Sequence, residues 1–154
     1  MSLRVQLQGA SASSGLLPSG IKRFARHVLM NEGVAKAAVT IVFTDDVGIR
    51  SLNARFRDQD RATDVLAFPL HEEDDGRMYL GDVIISLERA RSQAPRFGND
   101  PEGELARLLV HGLLHLLGYD HHRPQDGRRM KAAERRGLDG FLPGSLWDAG
   151  PLHA

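Results

Sequence analysis

Some stretches of the chain have the apolar pattern of a β-strand, and others have apolar residues at every third or fourth position, as in a helix. The sequence therefore predicts a mixture of strands and helices. The strongest strand prediction is residues 37–43 (AAVTIVF), a run rich in β-branched side chains. Weaker patterns predict strands at 4–7, 64–68 and 79–86. A helix is predicted from Pro18 to near Gly33, because the apolar side chains of that stretch fall on one side. They are Ile21, Phe24, Ala25, Val28 and Leu29.

Further helices are predicted where capping residues precede an apolar repeat. Asp100 suits the cap position, and Pro101 the first turn, of a helix that extends to about Gly118. The other predicted helices are one capped by Thr44 or Asp45 and running through Val47, Leu52 and Phe56, one at 87–94, and one from Pro124 to near Gly137.

Breaker residues indicate where the chain turns. Pro69 and the acidic stretch at 71–76 (HEEDDG) are interpreted as a solvated hairpin turn. The tail from about residue 141 is expected to pack back irregularly through Trp147. Because no linker or internal repeat divides the chain, we expect a single α+β domain over residues 1–154. Its small mixed β-sheet would have about four strands packed with several helices.

Composition limits the possible chemistry. The 154 residues are 42% hydrophobic and 26% charged, as in a soluble globular protein. No apolar run reaches the length of a membrane span, and the N-terminal residues lack the pattern of a signal peptide, so a cytoplasmic location is expected. The chain has no cysteine. Any metal ion must therefore be bound through nitrogen and oxygen.

The charges are balanced in number but unevenly placed. The formal net charge is zero, and all but three of the 20 basic residues are arginines, which suit the binding of phosphate groups. Acidic residues gather between Asp58 and Asp82. This distribution is compatible with RNA binding and equally with solvated helix faces. The basic residues gather in two groups: Arg50, Arg55, Arg57 and Arg61, then Arg123, Arg128, Arg129, Lys131, Arg135 and Arg136.

Three histidines have the spacing of a metal site. His111 and His115 lie one turn apart on a helix that is otherwise largely apolar, so both rings project from the same side. Gly118 can adopt the left-handed conformation that ends a helix, which lets the chain double back and bring His121 to the same ion. Gly112 is expected to leave the main chain open beside that ion. The predicted metal site thus lies on a buried helix and the loop after it.

The spacing H-x-x-x-H-x-x-G-x-x-H is that of the metzincin proteases, except that Gly112 replaces their glutamate, the general base. Three protein ligands leave a fourth position for water, as in catalytic sites, and zinc is the default ion. Asp64 or Asp120 is a candidate to orient a ligand histidine from outside the ligand set.

At these histidines the sequence resembles a known family. HGLLHLLGYDH at 111–121 is similar to the motif of the YbeY family of bacterial rRNA-maturation endoribonucleases. LNARFRDQDRATDVLAFP at 52–69 resembles that family's LN…YR…D.PTDVLSFP segment, and GDVIIS at 81–86 resembles its GDI.IS strand. The resemblance spans residues 52–121. Departures from it are Phe56 for tyrosine, Ala62 for proline and Ala67 for serine.

The resemblance implies a single α+β domain with one zinc ion on His111, His115 and His121. It also implies a single-strand-type endoribonuclease that acts on the ribosome and its small subunit, in 16S rRNA 3′-end maturation and ribosome quality control. No membrane or DNA partner is expected. The family's important arginine falls on Arg57, and a fixed guanidinium beside a metal would stabilise the charge that builds up during phosphodiester cleavage.

Two other functions remain open from the sequence. A zinc peptidase would share the histidine spacing, but it would need another carboxylate in place of the missing helix glutamate. A non-catalytic RNA-binding ribosome assembly factor would use the metal only to stabilise its fold.

Overall fold

A four-stranded mixed sheet forms the centre of the fold. The computed structural model describes residues 2–10 and 14–150. The strands are β1 (Ser2–Gln8), β2 (Lys36–Thr44), β3 (Val65–Asp74) and β4 (Arg77–Ser86). Their spatial order is β1-β2-β4-β3. Strands β1, β2 and β4 are parallel, and β3 is antiparallel to β4 at one edge. The prediction of a small mixed sheet of about four strands is confirmed. Residues 1, 11–13 and 151–154 of the predicted domain lie outside the described residues.

Among the described residues, five α-helices and a short 3₁₀-helix surround this sheet. The α-helices are α1 (Pro18–Asn31), α2 (Asp46–Arg57), α3 (Leu87–Gln93), α4 (Pro101–Leu116) and α5 (Pro124–Leu138), and the 3₁₀-helix is Ala94–Phe97. Helix α4 packs on β3 and β4, and α1 and α5 both contact α4. Within the described residues, no helix combines the length and the apolar character needed to cross a bilayer.

The strands alternate between two hydrophobic cores, because successive side chains point to opposite faces of a sheet. On β3, Ala67 belongs to the main core beneath α4, whereas Leu66 belongs to a smaller cluster beneath α2. On β4, Val83 faces the main core and Ile84 the smaller one. The main core is therefore covered by helices α1, α4 and α5, and the other face of the sheet mainly by α2.

Helix α2 begins as predicted but buries a different face. Asp45 is its N-cap and accepts a hydrogen bond from the Gly48 main-chain nitrogen at 2.8 Å. Ile49 and Asn53, one turn apart, are its buried residues. The prediction that Val47 and Phe56 lie on the apolar face is wrong, since their exposed fractions are 78% and 60%.

The predicted hairpin turn lies within residues 71–76 but is shorter than expected, because Pro69 and the first acidic residues belong to strand β3. Strand β3 continues to Asp74 through an irregularity between Pro69 and Glu72. The chain reverses at Asp75 and Gly76, whose φ angles of 52° and 77° suit a two-residue Asp-Gly turn. The acidic residues therefore extend the strand as a protruding ribbon.

The prediction of a tail that packs back through Trp147 is confirmed. The Trp147 indole nitrogen donates to the carbonyl oxygen of Ser14 at 2.8 Å. The buried Glu102 carboxylate on the first turn of α4 accepts from the main-chain nitrogens of Gly144, Leu146 and Trp147. These bonds tie the tail to the beginning of the helix that carries the histidines.

Candidate metal centre

Helix α4 brings His111 and His115 into direct contact. The helix begins after Asp100, which accepts from the Gly103 main-chain nitrogen at 2.7 Å, so the predicted cap is confirmed. The two imidazole rings lie with their centroids 4.5 Å apart, and their Nε2 atoms are 3.0 Å apart. Two nitrogen ligands of one tetrahedral zinc ion lie roughly 3.3 Å apart, given Zn–N bonds of about 2.0–2.1 Å. The spacing of the pair is thus close to that of two ligands of one ion.

The opposite ring nitrogens fix the protonation of both histidines. His115 Nδ1 lies 2.8 Å from the carbonyl oxygen of Tyr119, and His111 Nδ1 lies 3.4 Å from the Glu134 carboxylate. Both partners only accept, so each Nδ1 carries the proton and each Nε2 presents a lone pair. Two lone pairs that face each other repel unless a proton or a metal ion lies between them. The donor chemistry of this pair therefore fits a metal ion.

Burial disfavours the proton as the shared cation. The His115 pKa is lowered, first by burial and then by the positive charge of His111 if that ring is protonated. The pKa of Glu134 is also lowered, chiefly by its hydrogen bond to His111, so the carboxylate stays ionised. An ionised carboxylate behind a histidine is a common arrangement around protein-bound metals, where it orients the ring and raises its basicity.

His121 approaches the pair from the loop after α4. Gly118 has a φ of 97°, the predicted left-handed turn, and the Tyr119 main-chain nitrogen donates to the Leu114 carbonyl oxygen. The centroid of the His121 ring lies 6.3 Å from that of His111 and 5.8 Å from that of His115. Within residues 2–10 and 14–150, no three His, Asp or Glu side chains are arranged as a complete metal-binding group. The structure thus gathers the three predicted ligands with the loop ring farther out.

The same loop is anchored on its far side. The Tyr119 hydroxyl donates to the Glu32 carboxylate at 2.5 Å, and Arg136 on α5 also contacts Glu32, at 3.3 Å. Tyr119 therefore connects α1, the loop and His115, since its carbonyl oxygen also receives the His115 Nδ1 proton.

Gly112 serves helix packing, and it also lines the cavity that contains His111 and His115. A Cβ atom at this position would lie 2.5 Å from a methyl carbon of Val83 and 3.2 Å from one of Val65. Glycine is thus required for α4 to approach the sheet closely. A glutamate, as in the metzincin motif, would not fit here without displacing β4. This geometry weakens the peptidase hypothesis further.

Asp64 and Asp120 are not the groups that orient His111 and His115, and an orienting role at His121 stays a prediction. Asp64 accepts from Gln93 Nε2 at 3.0 Å and from the Val65 main-chain nitrogen at 2.8 Å. Gln93 also donates to the fully buried Glu104, which pairs with Arg107 at 2.6 Å. Asp120 accepts from the His122 main-chain nitrogen. Asp64 is therefore held in place by a polar network under α4.

Arg57 lies at the end of α2, beside the histidine pair. Its guanidinium donates to the carbonyl oxygen of Ala67 on the edge strand β3 at 2.7 Å and lies 5.3 Å from the centroid of the Phe68 ring. A cavity of about 260 Å³ is lined by Arg57, Asp64, His111, Gly112 and His115 together with main-chain and apolar groups of β3. The structure thus brings together an arginine and two histidines that are more than fifty residues apart in sequence.

Comparison with known proteins identifies the family. A family model described as "Endoribonuclease YbeY" matches residues 10–141. The chain belongs to the YbeY family. It is 47% identical over 124 residues to the endoribonuclease YbeY of an Anaeromyxobacter strain. The matched region covers 79% of this chain and 65% of that protein. With the YbeY of Pelotomaculum thermopropionicum the identity is 41% over 138 residues, covering 86% of this chain and 91% of the relative.

A solved structure has the same fold. A solution structure of a Thermotoga maritima protein matches with a TM-score of 0.58 at 25% identity, covering 91% of this chain and 98% of that one. Some YbeY relatives are considerably longer. The chain spans 65% of the length of the Anaeromyxobacter protein and 44% of the length of the one from Myxococcus xanthus.

Sequence reasoning missed Glu134 and the Tyr119 carbonyl oxygen, the two groups that orient the histidine pair. Glu134 follows 23 residues after His111 and lies in a basic helix, where it resembles any charged surface residue. The position of Glu134 in the helix pattern is a sequence signal for this contact. Glu134 comes four residues after the buried Met130 and directly after the buried Ala133, so it lies at the margin of the face that packs on α4.

Proposed function

We propose that this protein is a metal-dependent endoribonuclease of single-strand type that acts in 16S rRNA 3′-end maturation and ribosome quality control. The carrying observation is the pair of facing Nε2 atoms of His111 and His115 in one cavity with Arg57, in a chain whose relatives are named endoribonucleases. The proposed setting is the cytoplasm, with ribosomal RNA and the small ribosomal subunit as partners and with neither a membrane nor DNA.

His111, His115 and His121 would hold one zinc ion through their ring nitrogens. When bound, the ion supplies a Lewis acid beside the phosphate and a means of activating the nucleophile. Glu134 and the Tyr119 carbonyl keep the rings of His111 and His115 in the tautomer that binds metal. The movement of His121 toward the pair would complete the ligand set.

Arg57 would bind the non-bridging oxygens of the scissile phosphate. Its guanidinium is fixed at one end by the Ala67 carbonyl oxygen, so its remaining N–H groups can donate to phosphate. A charge that is positioned before the reaction stabilises the transition state without having to reorganise. The catalytic role of Arg57 stays a prediction.

Exposed cations on α5 support an RNA substrate. Arg128, Lys131 and Arg135 are exposed and spaced at i, i+3 and i+7, so they form one stripe along the helix. The stripe adjoins Glu134, which contacts His111, and Gly127, where an added Cβ atom would lie 3.9 Å from the Cβ atom of His121. Phosphate groups of a bound strand can therefore follow the helix away from the cavity.

The test is cleavage of a 16S rRNA 3′ precursor by the purified protein. Wild type would be compared with His115→Ala, Arg57→Ala and the control Arg23→Ala, an exposed arginine on α1, with circular dichroism to verify folding. We expect cleavage by wild type and Arg23→Ala, and its loss in the other two and after chelation, with recovery on adding zinc. Undiminished cleavage by both His115→Ala and Arg57→Ala would assign the activity to a contaminant.

Complementation separates an enzyme from a non-catalytic assembly factor. His115→Ala would be expressed in cells that lack their own copy of the protein, and the mature 16S rRNA 3′ end would be quantified. We expect the precursor to accumulate. A folded His115→Ala that restores normal ends would support the assembly factor.

A further inference from the structure

A second cavity lies on the opposite face of the sheet from the histidines, under α2. This base groove, as we call it, has a volume of about 440 Å³ and a mostly apolar lining of Val42, Leu52, Phe56, Phe68 and Ile84. Its walls come from α2 and from all four strands, β1 contributing Gln8 at its end. Neither the metal centre nor the packing of the main core requires such a groove.

One of the aromatic residues that line the groove is largely exposed to solvent. The Phe56 side chain is 60% exposed and meets Phe68 edge to face, with ring centroids 5.7 Å apart. Arg55 lies over the Phe56 ring at 5.3 Å, and Arg57 lies over the Phe68 ring at the same distance. Two aromatic rings flanked by two guanidinium groups form a surface on which nucleic acid bases stack.

Arg57 joins the base groove to the metal centre. It lines the histidine cavity and also covers Phe68, which lines the groove. Ala67, which holds the guanidinium, and Phe68 are neighbours on β3 with side chains on opposite faces of the sheet. A phosphate bound by Arg57 would therefore lie at the edge strand that separates the two cavities.

The polar lining of the groove fits a base better than a phosphate. It consists of Gln8 and Asp82. The Asp82 carboxylate accepts from the Tyr79 hydroxyl and would repel a phosphate group, but a carboxylate accepts well from the amino group of a base.

We propose that the base groove binds one unpaired base of the RNA substrate, stacked on Phe56, while Arg57 binds the phosphate of the same nucleotide. The proposal rests on the proposed ribonuclease function and assigns its single-strand preference to a defined subsite. A base can enter the groove only when it is unstacked and free of its pairing partner. The groove thus selects single-stranded RNA, or loops and ends, over continuous duplex.

The test compares binding of two oligonucleotides to the full chain. One is a labelled 2′-O-methyl oligoadenylate of eight nucleotides, and the other has the same sugar-phosphate backbone without bases. Fluorescence anisotropy would give Kd for wild type, Phe56→Leu, Phe56→Tyr and the control Val47→Ala, an exposed residue at the other end of α2. Phe56→Leu keeps the apolar character but removes the stacking surface, whereas Phe56→Tyr keeps it.

We expect wild type, Phe56→Tyr and Val47→Ala to bind the oligoadenylate about 5- to 100-fold more tightly than Phe56→Leu, the range that loss of one base–aromatic stack produces. The backbone without bases should bind all four proteins equally weakly. With cleavable RNA, Phe56→Leu should raise KM more than it lowers kcat.

The outcomes separate this proposal from the proposed function. If wild type cleaves RNA but Phe56→Leu binds oligoadenylate as tightly as wild type, or the backbone without bases binds equally well, the base groove is wrong and the ribonuclease stands. If wild type does not cleave but binds bases through Phe56, the groove stands and the ribonuclease fails. Failure of wild type to bind either oligonucleotide would overturn the groove as well.

Discussion

The proposed ligands of the metal centre come from a helix and from a loop, and the two parts differ in how firmly they are held. His111 and His115 are half-buried on α4, each with an acceptor at Nδ1 and with their Nε2 atoms 3.0 Å apart. His121 is exposed, and its ring centroid is about 6 Å from both of theirs. His111 and His115 are thus already placed as two ligands of one ion would be, whereas His121 would have to move inward to join them.

Substitution of the ligands should separate the two parts most strongly. We expect His115→Ala to weaken zinc binding by at least about 100-fold, since even changes behind the ligands cost 10- to 100-fold. His121→Ala should weaken it less, because His111 and His115 remain paired. Competition with a chromophoric chelator would measure both. Equal losses would show that the loop histidine is as well organised as the helix pair.

A substitution of Gly112 tests whether the close packing of α4 on the sheet positions His111 and His115. We expect Gly112→Ala to lower the free energy of unfolding by about 1–3 kcal/mol, because its Cβ atom would lie 2.5 Å from a Val83 methyl carbon. Urea denaturation would measure this. The control is Gly112→Ala combined with Val83→Ala, which makes room and should recover part of the loss. A single variant as stable as wild type would contradict the role given to this contact.

A substitution of Glu134 tests whether its carboxylate orients the His111 ring through the Nδ1 atom. We expect Glu134→Gln to weaken zinc binding about 10-fold, since glutamine keeps the shape but loses the charge that holds the His111 Nδ1 proton. The matched control is Glu72→Gln on β3, which is exposed, and chelator competition would compare the two. An affinity equal to that of the control would mean that the 3.4 Å contact does not orient the ring.

The smallest expected effect is the pH dependence of the metal-free protein. Burial lowers the pKa of His115 below its ordinary value of 6.5. The unfolded chain therefore binds more protons than the folded one as the pH falls through 6.5 toward the lowered pKa. The free energy of unfolding should decrease over that range. Urea denaturation in chelator should show a smaller decrease for His115→Gln, whereas an equal decrease would assign the effect to other groups.

Local sequence signals predicted the elements that carry the site. Asp100, Pro101 and Gly118 gave the ends of α4 to within about two residues, because capping and left-handed turns depend on near neighbours. The apolar pattern at 79–86 likewise predicted β4, in which the structure buries Val83 and Ile85.

The contacts that the sequence could not predict depend on how the helices pack on the sheet and on one another. The close contact between Gly112 and Val83 could not be predicted, because it is set by the packing of α4 on the sheet. Glu134 reaches His111 only because α5 packs on α4. The Asp75–Gly76 pair is a local turn signal within the predicted stretch, whereas the pairing of Pro69 and Glu72 with β4 depends on a neighbouring strand. The catalytic and metal-binding roles of the predicted residues remain to be tested by the experiments above.

The bond from Arg57 to the Ala67 carbonyl oxygen also has a consequence for the lifetime of the protein in solution. Strand β3 is an edge strand of the sheet. The unpaired main-chain groups of edge strands can pair with other molecules and start aggregation. The arginine occupies a main-chain acceptor of this edge and places a positive charge beside it. Selection for solubility could therefore favour an arginine here even in a variant that had lost every other use for it.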